Sequence, residues 1–173
     1  MEFLEMTLGQ LLHRSALAHP DAPALRNDEC VWSYIRLDGE SDVLAKGFLR
    51  AGLHKGDHVA IYSGNSFQMV CAIFALAKIG AIAVLVGGSD SGAEVSRITR
   101  QSDCDYLLFG GNIRGISTCK IVESADFSFL QGRFCLEDGA SVSCPDLSAL
   151  LSLANEVSEV QLPPGGAQVP GPA

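Results

Sequence analysis

The sequence predicts an α/β protein built on a parallel β-α-β-α-β core, with flanking helices and a small N-terminal hairpin. Three observations carry that prediction. Short apolar runs at His58–Tyr62, Ala81–Val86 and Tyr106–Phe109 are rich in β-branched and aromatic residues. The first two are each followed by a turn of small residues and then by a segment of helical length, 66–79 and 91 to about 103. Strands that alternate with helices in this way join through right-handed crossovers into a parallel sheet.

Taken in order, Thr7 and Gln10 form a T-x-x-Q capping box, and Leu8, Leu11, Leu12 and Ala16 lay one apolar stripe along the helix it opens. The turn His19-Pro20-Asp21-Ala22-Pro23 ends that helix. Ala24–Arg26 and Cys30–Trp32 flank the polar Asn27-Asp28-Glu29 and predict the hairpin. Ser33 caps a second helix, whose apolar positions Leu37, Leu44, Ala45 and Phe48 keep the 3.6-residue period until Gly52 supplies a left-handed terminus and Leu53 its hydrophobic contact.

Lys55-Gly56-Asp57 turns the chain into the first core strand, and Ser63-Gly64-Asn65 turns it out again, with Asn65 as the expected helix cap. Helix 66–79 is apolar on nearly every side, exposing only Gln68 and Lys78 among its inner residues. The sheet it crosses is therefore expected inside the protein and not at its edge. Gly80 stops this helix, and the box Ser91-x-x-Glu94 opens the next after the loop Gly87-Gly88-Ser89-Asp90. Beyond Gly110 the pattern predicts short strands at Cys119–Val122 and Phe134–Leu136, a helix from Asp146 to about Asn155, and a Pro- and Gly-rich linker over 161–173.

With 47% hydrophobic and 18% charged residues, a chain of 173 residues suffices for one domain with a proper core. A net charge of −8 without any basic patch argues against nucleic acid as a partner; Arg97 and Arg100 sit at the spacing of a solvated helix face. Met69–Val86 reaches the lower length limit of a membrane span, yet Lys78 and Gly80 divide it into a helix and a strand, so no transmembrane segment is expected. Six cysteines without a C-x-x-C pair, and an N-terminus bearing Glu2 and Glu5 with no Lys or Arg before Gln10, point to reduced thiols and a cytoplasmic location.

Ligands of open α/β sheets bind at the carboxyl ends of the strands, here Ser63-Gly64-Asn65, Gly87-Gly88-Ser89 and Gly110-Gly111-Asn112. None of these loops matches G-x-G-x-x-G or G-x-x-x-x-G-K-[ST], and no G-x-S-x-G elbow is present. His54, Asp57 and His58 lie on a turn and a strand, which do not bring them to one face as a helix would. Accordingly the chain is assigned no catalytic, cofactor-binding or metal-ligating residue.

A series of landmarks nevertheless recurs in one order: Pro20-Asp21-Ala22-Pro23-Ala24-Leu25, Trp32-Ser33-Tyr34, Gly47-Phe48-Leu49, Lys55-Gly56-Asp57-His58-Val59-Ala60-Ile61, Asn65, and Ala75-Leu76-Ala77-Lys78-Ile79-Gly80-Ala81-Ile82-Ala83-Val84. This series resembles the adenylate-forming enzymes of the acyl-CoA synthetase type, from Thr7 to about Phe109. The resemblance implies that 1–125 form the N-terminal subdomain of a ligase, with 126–160 a partial continuation. The full-length enzyme would activate a carboxylate with ATP and magnesium before passing it to CoA or to a carrier-protein pantetheine.

The family's ATP-binding loop, ending in Pro-Lys-Gly, and its later motifs all follow the matched region, so the chain is expected to be inactive without the remainder of the ligase or a partner subunit. Many relatives read approximately Pro-x-Asn-Pro-Arg where this chain reads Leu85-Val86-Gly87-Gly88-Ser89. The arginine that lies near the CoA nucleotide in some relatives is thus not carried over to Ser89. Two other functions fit the same fold: a non-catalytic docking module, and a free-standing nucleotide-binding domain.

Overall fold

The computed structural model describes residues 6–87, 91–137 and 144–155. Helix α1 (Leu8–Ala18) opens with the reciprocal Thr7–Gln10 capping box. Strands β1 (Pro23–Arg26) and β2 (Val31–Ser33) then pair antiparallel as the expected hairpin. Helix α2 (Tyr34–Arg50) starts on Ser33, whose hydroxyl accepts from Arg36 N–H. It ends at Gly52 (φ +95°), where Leu53 N–H reaches Phe48 O and Gly52 N–H reaches Leu49 O, the paired bonds of a left-handed terminus with Leu53 fully buried.

The core follows as β3 (His58–Ser63), α3 (Phe67–Ile79), β4 (Ile82–Leu85), α4 (Gly92–Gln101) and β5 (Tyr106–Gly110). The chain continues through a minute hairpin, β6 (Asn112–Ile113) and β7 (Ile116–Ser117), then α5 (Thr118–Glu123), β8 (Gly132–Cys135) and α6 (Leu147–Asn155). Four strands pair in parallel in the order β4-β3-β5-β8.

Alternation along the central strands divides the core into two layers, one on each face of the sheet. Val59, Ile61, Tyr106 and Leu108 face α1, α2 and α3, whereas Ala60, Tyr62, Leu107 and Phe109 face Val95 of α4 and Ile121 and Val122 of α5. Helix α6 closes the first layer by packing on α2. A methyl group on Gly47 would lie 2.5 Å from Leu150 O, so the glycine is what lets the two backbones meet.

Five expectations need correction. Strand β4 is an edge strand among the described residues, with Ile82 47% and Leu85 60% exposed. The apolarity of α3 is consumed elsewhere: α1 and α2 cover the side of α3 that faces away from the sheet. Lys78 is buried and not exposed. Cys119–Val122 forms a helix instead of a strand, because Cys119, Ile121 and Val122 are buried within one helical turn; a short apolar run does not by itself distinguish the two.

On α1 the buried face runs through Gly9, Leu12 and Ala16, while Leu8 and Leu11 are exposed. Gly9 sets that rotation, since a Cβ there would come within 2.9 Å of Lys78 Cγ. Finally, the cap of α3 is Ser66, whose hydroxyl accepts from Met69 N–H at 3.0 Å, and Asn65 stands exposed before it. Gly88, Ser89, Asp90 and the 161–173 linker lie outside the described residues.

Candidate functional site

The carboxyl rim of the sheet is where this architecture presents a ligand, and two of its three loops are occupied by each other. Gly64 N–H donates to Gly110 O at 3.0 Å, and a Cβ on Gly64 would lie 2.5 Å from Asn112 O. Gly111, at φ +71°, turns the chain away, and its carbonyl accepts from both the amide and the hydroxyl of Thr118 at the start of α5. These glycines are therefore explained by backbone meeting backbone. In the third loop Gly87 is exposed, with open space beside it.

His54, Asp57 and His58 are not brought together as a metal cluster. Asp57 Oδ2 accepts from the His54 amide at 2.7 Å, closing the turn, while His58 Nδ1 lies 2.9 Å from Ser102 O. Arg97 and Arg100 are held by surface partners: Arg97 donates to Gln101 at 2.6 Å, and Arg100 lies over the Phe129 ring, 4.0 Å from Asp126.

A charged cluster that the sequence did not announce lies between α1, α2 and α3. Lys78 Nζ donates to Asp38 Oδ1 at 2.7 Å, to Asp42 Oδ1 at 2.5 Å and to Asp38 O at 2.9 Å, and His13 Nδ1 lies 2.8 Å from Asp38 Oδ2. All three ammonium donors are thereby used, which is the condition under which a lysine tolerates burial. The signal that would have found it is Lys78 itself, the single charged residue in helix α3.

A third constellation stands at the end of β8. Cys119 and Cys135 bring their sulfurs within 3.7 Å, and Glu137 lies alongside. Burial pushes the Cys135 thiol up to about 12, the Glu137 amide that donates to its sulfur working against the rise.

Comparison with known proteins decides the family. The family model described as AMP-binding enzyme matches residues 12–158. The chain belongs to the AMP-binding enzyme family. Among the relatives of this AMP-binding chain, a Bacillus subtilis protein described as an acyl-CoA synthetase, YngI, is 37% identical over 127 residues, covering 71% of this chain and 23% of that protein. The acyl-CoA ligase SID4 of Ajellomyces capsulatus is 34% identical over 106 residues, covering 60% and 18% respectively.

The crystal structure of a Rhodopseudomonas palustris protein described as a long-chain-fatty-acid CoA ligase superposes with a TM-score of 0.74 at 26% identity, covering 96% of this chain and 40% of that one. The N-terminal subdomain of Klebsiella oxytoca NpsA gives a TM-score of 0.69 at 21% identity over 91% of this chain and 34% of its own length, a likeness of fold. The AMP-binding chain thus has the fold of a ligase N-terminal subdomain and spans about a fifth of the length of the curated relatives it matches.

Proposed function

We propose that this chain is the N-terminal portion of an AMP-forming acid–thiol ligase, supplying the scaffold on which the catalytic parts assemble and not the nucleotide site itself. The observation that carries the reading is the edge strand β4, which has one sheet neighbour among the described residues and leaves Ile82 and Leu85 exposed. An apolar edge of this kind is a surface that another segment covers, and natural proteins seldom leave one bare. Membership of the AMP-binding family, and the match to about a fifth of each relative, support assigning that cover to the remainder of the ligase or to a partner subunit.

On this reading 1–125 form the subdomain and 126–160 lead onward from it. Adenylation of a carboxylate with ATP and magnesium, and its transfer to CoA or to a carrier-protein pantetheine, belong to the assembled enzyme. The rim of this chain supports the division, because the Gly64 and Gly110-Gly111 loops are closed by their own backbones and leave no phosphate cradle between them. Six free cysteines suit a reducing cytoplasm, and no helix of the described residues is long and apolar enough to cross a membrane.

Calorimetry of the isolated chain with ATP, AMP and CoA tests the division of labour. We expect no heat at millimolar ligand; saturable ATP binding would contradict it and favour a free-standing nucleotide domain. A chain that is monodisperse and binds no hydrophobic dye would instead favour a self-contained docking module.

A further inference from the structure

The geometry at the end of β8 points to a structural zinc site, with Cys119, Cys135 and Glu137 as ligands, that pins α5 to the last strand of the sheet. The three ligand atoms lie within 4.8 Å of one another, although 16 residues separate the two cysteines in sequence. Two thiolates bound to one tetrahedral zinc, each at about 2.3 Å, stand roughly 3.8 Å apart. The observed sulfur separation is 3.7 Å, so the pair already has the spacing of one edge of that tetrahedron.

Second contacts hold the ligands in this arrangement. The backbone amide of Glu137 donates to the Cys135 sulfur, which ties the carboxylate-bearing residue to the thiol beside it. Cys135 N–H donates to Pro145 O at 3.0 Å, which anchors the neighbouring segment against the same cluster; a water would complete the tetrahedron. Cys119 is fixed by α5, whose first residue Thr118 is tied twice to Gly111 O.

The chemistry of the set selects the ion. Two soft thiolates exclude magnesium and calcium, and thiolates combined with a carboxylate suit zinc. Cys119 and Cys135 are buried while Glu137 is exposed, which gives the ion an entry side. A disulfide, formed with loss of two electrons to an oxidant, is the competing use of two adjacent thiols, and the titration below separates the two. The site is independent of the ligase reading: it would hold even if the parent protein catalysed nothing.

The test uses the whole chain, reduced and stripped of metal by a chelator, then titrated with cobalt(II) and back-titrated with zinc. One cobalt per chain is expected, with thiolate-to-metal charge-transfer absorption and the visible bands of a tetrahedral site, displaced by stoichiometric zinc. Because losing even a supporting partner costs about 10–100-fold in affinity, Cys119→Ser and Cys135→Ser should each lose more than about 100-fold. Cys30→Ser, on the opposite face of the sheet, should change nothing.

Glu137→Gln, at an exposed position that folding tolerates, keeps the test decisive if a buried cysteine variant misfolds; it should weaken cobalt by about tenfold or more. Cobalt bound without charge-transfer absorption, or equally well by Cys119→Ser, would overturn the proposal. So would reduced chain that refuses cobalt, or that loses two hydrogens on air oxidation through a Cys119–Cys135 bond formed in preference to binding metal.

Discussion

Lys78 Nζ stands 2.7 Å from Asp38 Oδ1, and the two side chains are 8% and 6% exposed. This pair joins α3 to α2 across an otherwise apolar interface, with Asp42 and His13 completing its hydrogen bonds. Removing one member of a buried pair strands the other charge, whereas replacing both with apolar side chains of similar volume removes the problem. Lys78→Met should therefore cost about 3–5 kcal/mol in urea unfolding. Lys78→Met with Asp38→Leu should recover most of that loss, and a double variant no more stable than the single one would show that the pair is not what matters there.

Two glycines should respond in opposite directions. Gly64→Ala places a methyl 2.5 Å from Asn112 O, so the β3–α3 loop must part from the loop after β5; a loss of about 1–3 kcal/mol is expected. Gly39, inside α2, has open space where its Cβ would be, and Gly39→Ala should stabilise by about 0.5–1 kcal/mol. Thermal melts of both variants beside the parent check the pair of signs.

Stability should fall on the alkaline side. Burial pushes the Cys71 thiol up to about 12 and Cys104 up to about 11, from a usual value of 9.0, and Tyr106 is also raised, chiefly by burial. In each case the folded state holds its proton more tightly than the unfolded chain. The resulting stability is fully present below pH 9 and is lost as the pH climbs through the folded values. Urea midpoints measured at pH 8 and pH 10.5 should drop between the two, and Cys71→Ala should flatten the slope; a flat parent would refute the assignment.

The central fold was legible because its signals are local. The capping box at Thr7, the cap at Ser33, the left-handed Gly52 and Gly80, and runs of strand-forming residues each act within a few residues of themselves. What escaped depends on distant neighbours. The apolar circumference of α3 predicts burial correctly at Cys71, Ala75 and Leu76, yet it does not say whether a sheet or two helices do the covering, and β4 lies at the edge of the sheet among the described residues. Helix α5 escaped because four apolar-flanked residues carry no period, and the Arg114–Gly115 turn that frees them, with φ of 51° and 82°, is made by an arginine where glycine or asparagine is the usual marker. The approach of Cys119 to Cys135 is a product of the sheet order, which places β8 beside β5, and no spacing rule encodes it.

The proposed division puts the scaffold in this chain and the chemistry in the rest of a ligase. The most direct measurement is carboxylate-dependent ATP–pyrophosphate exchange, made on the chain by itself and on a chimera in which it replaces the corresponding segment of an active AMP-binding relative. No exchange is expected from the chain, and carboxylate-dependent exchange is expected from the chimera. Exchange catalysed by the isolated chain, or a well-folded chimera that stays inert, would contradict it.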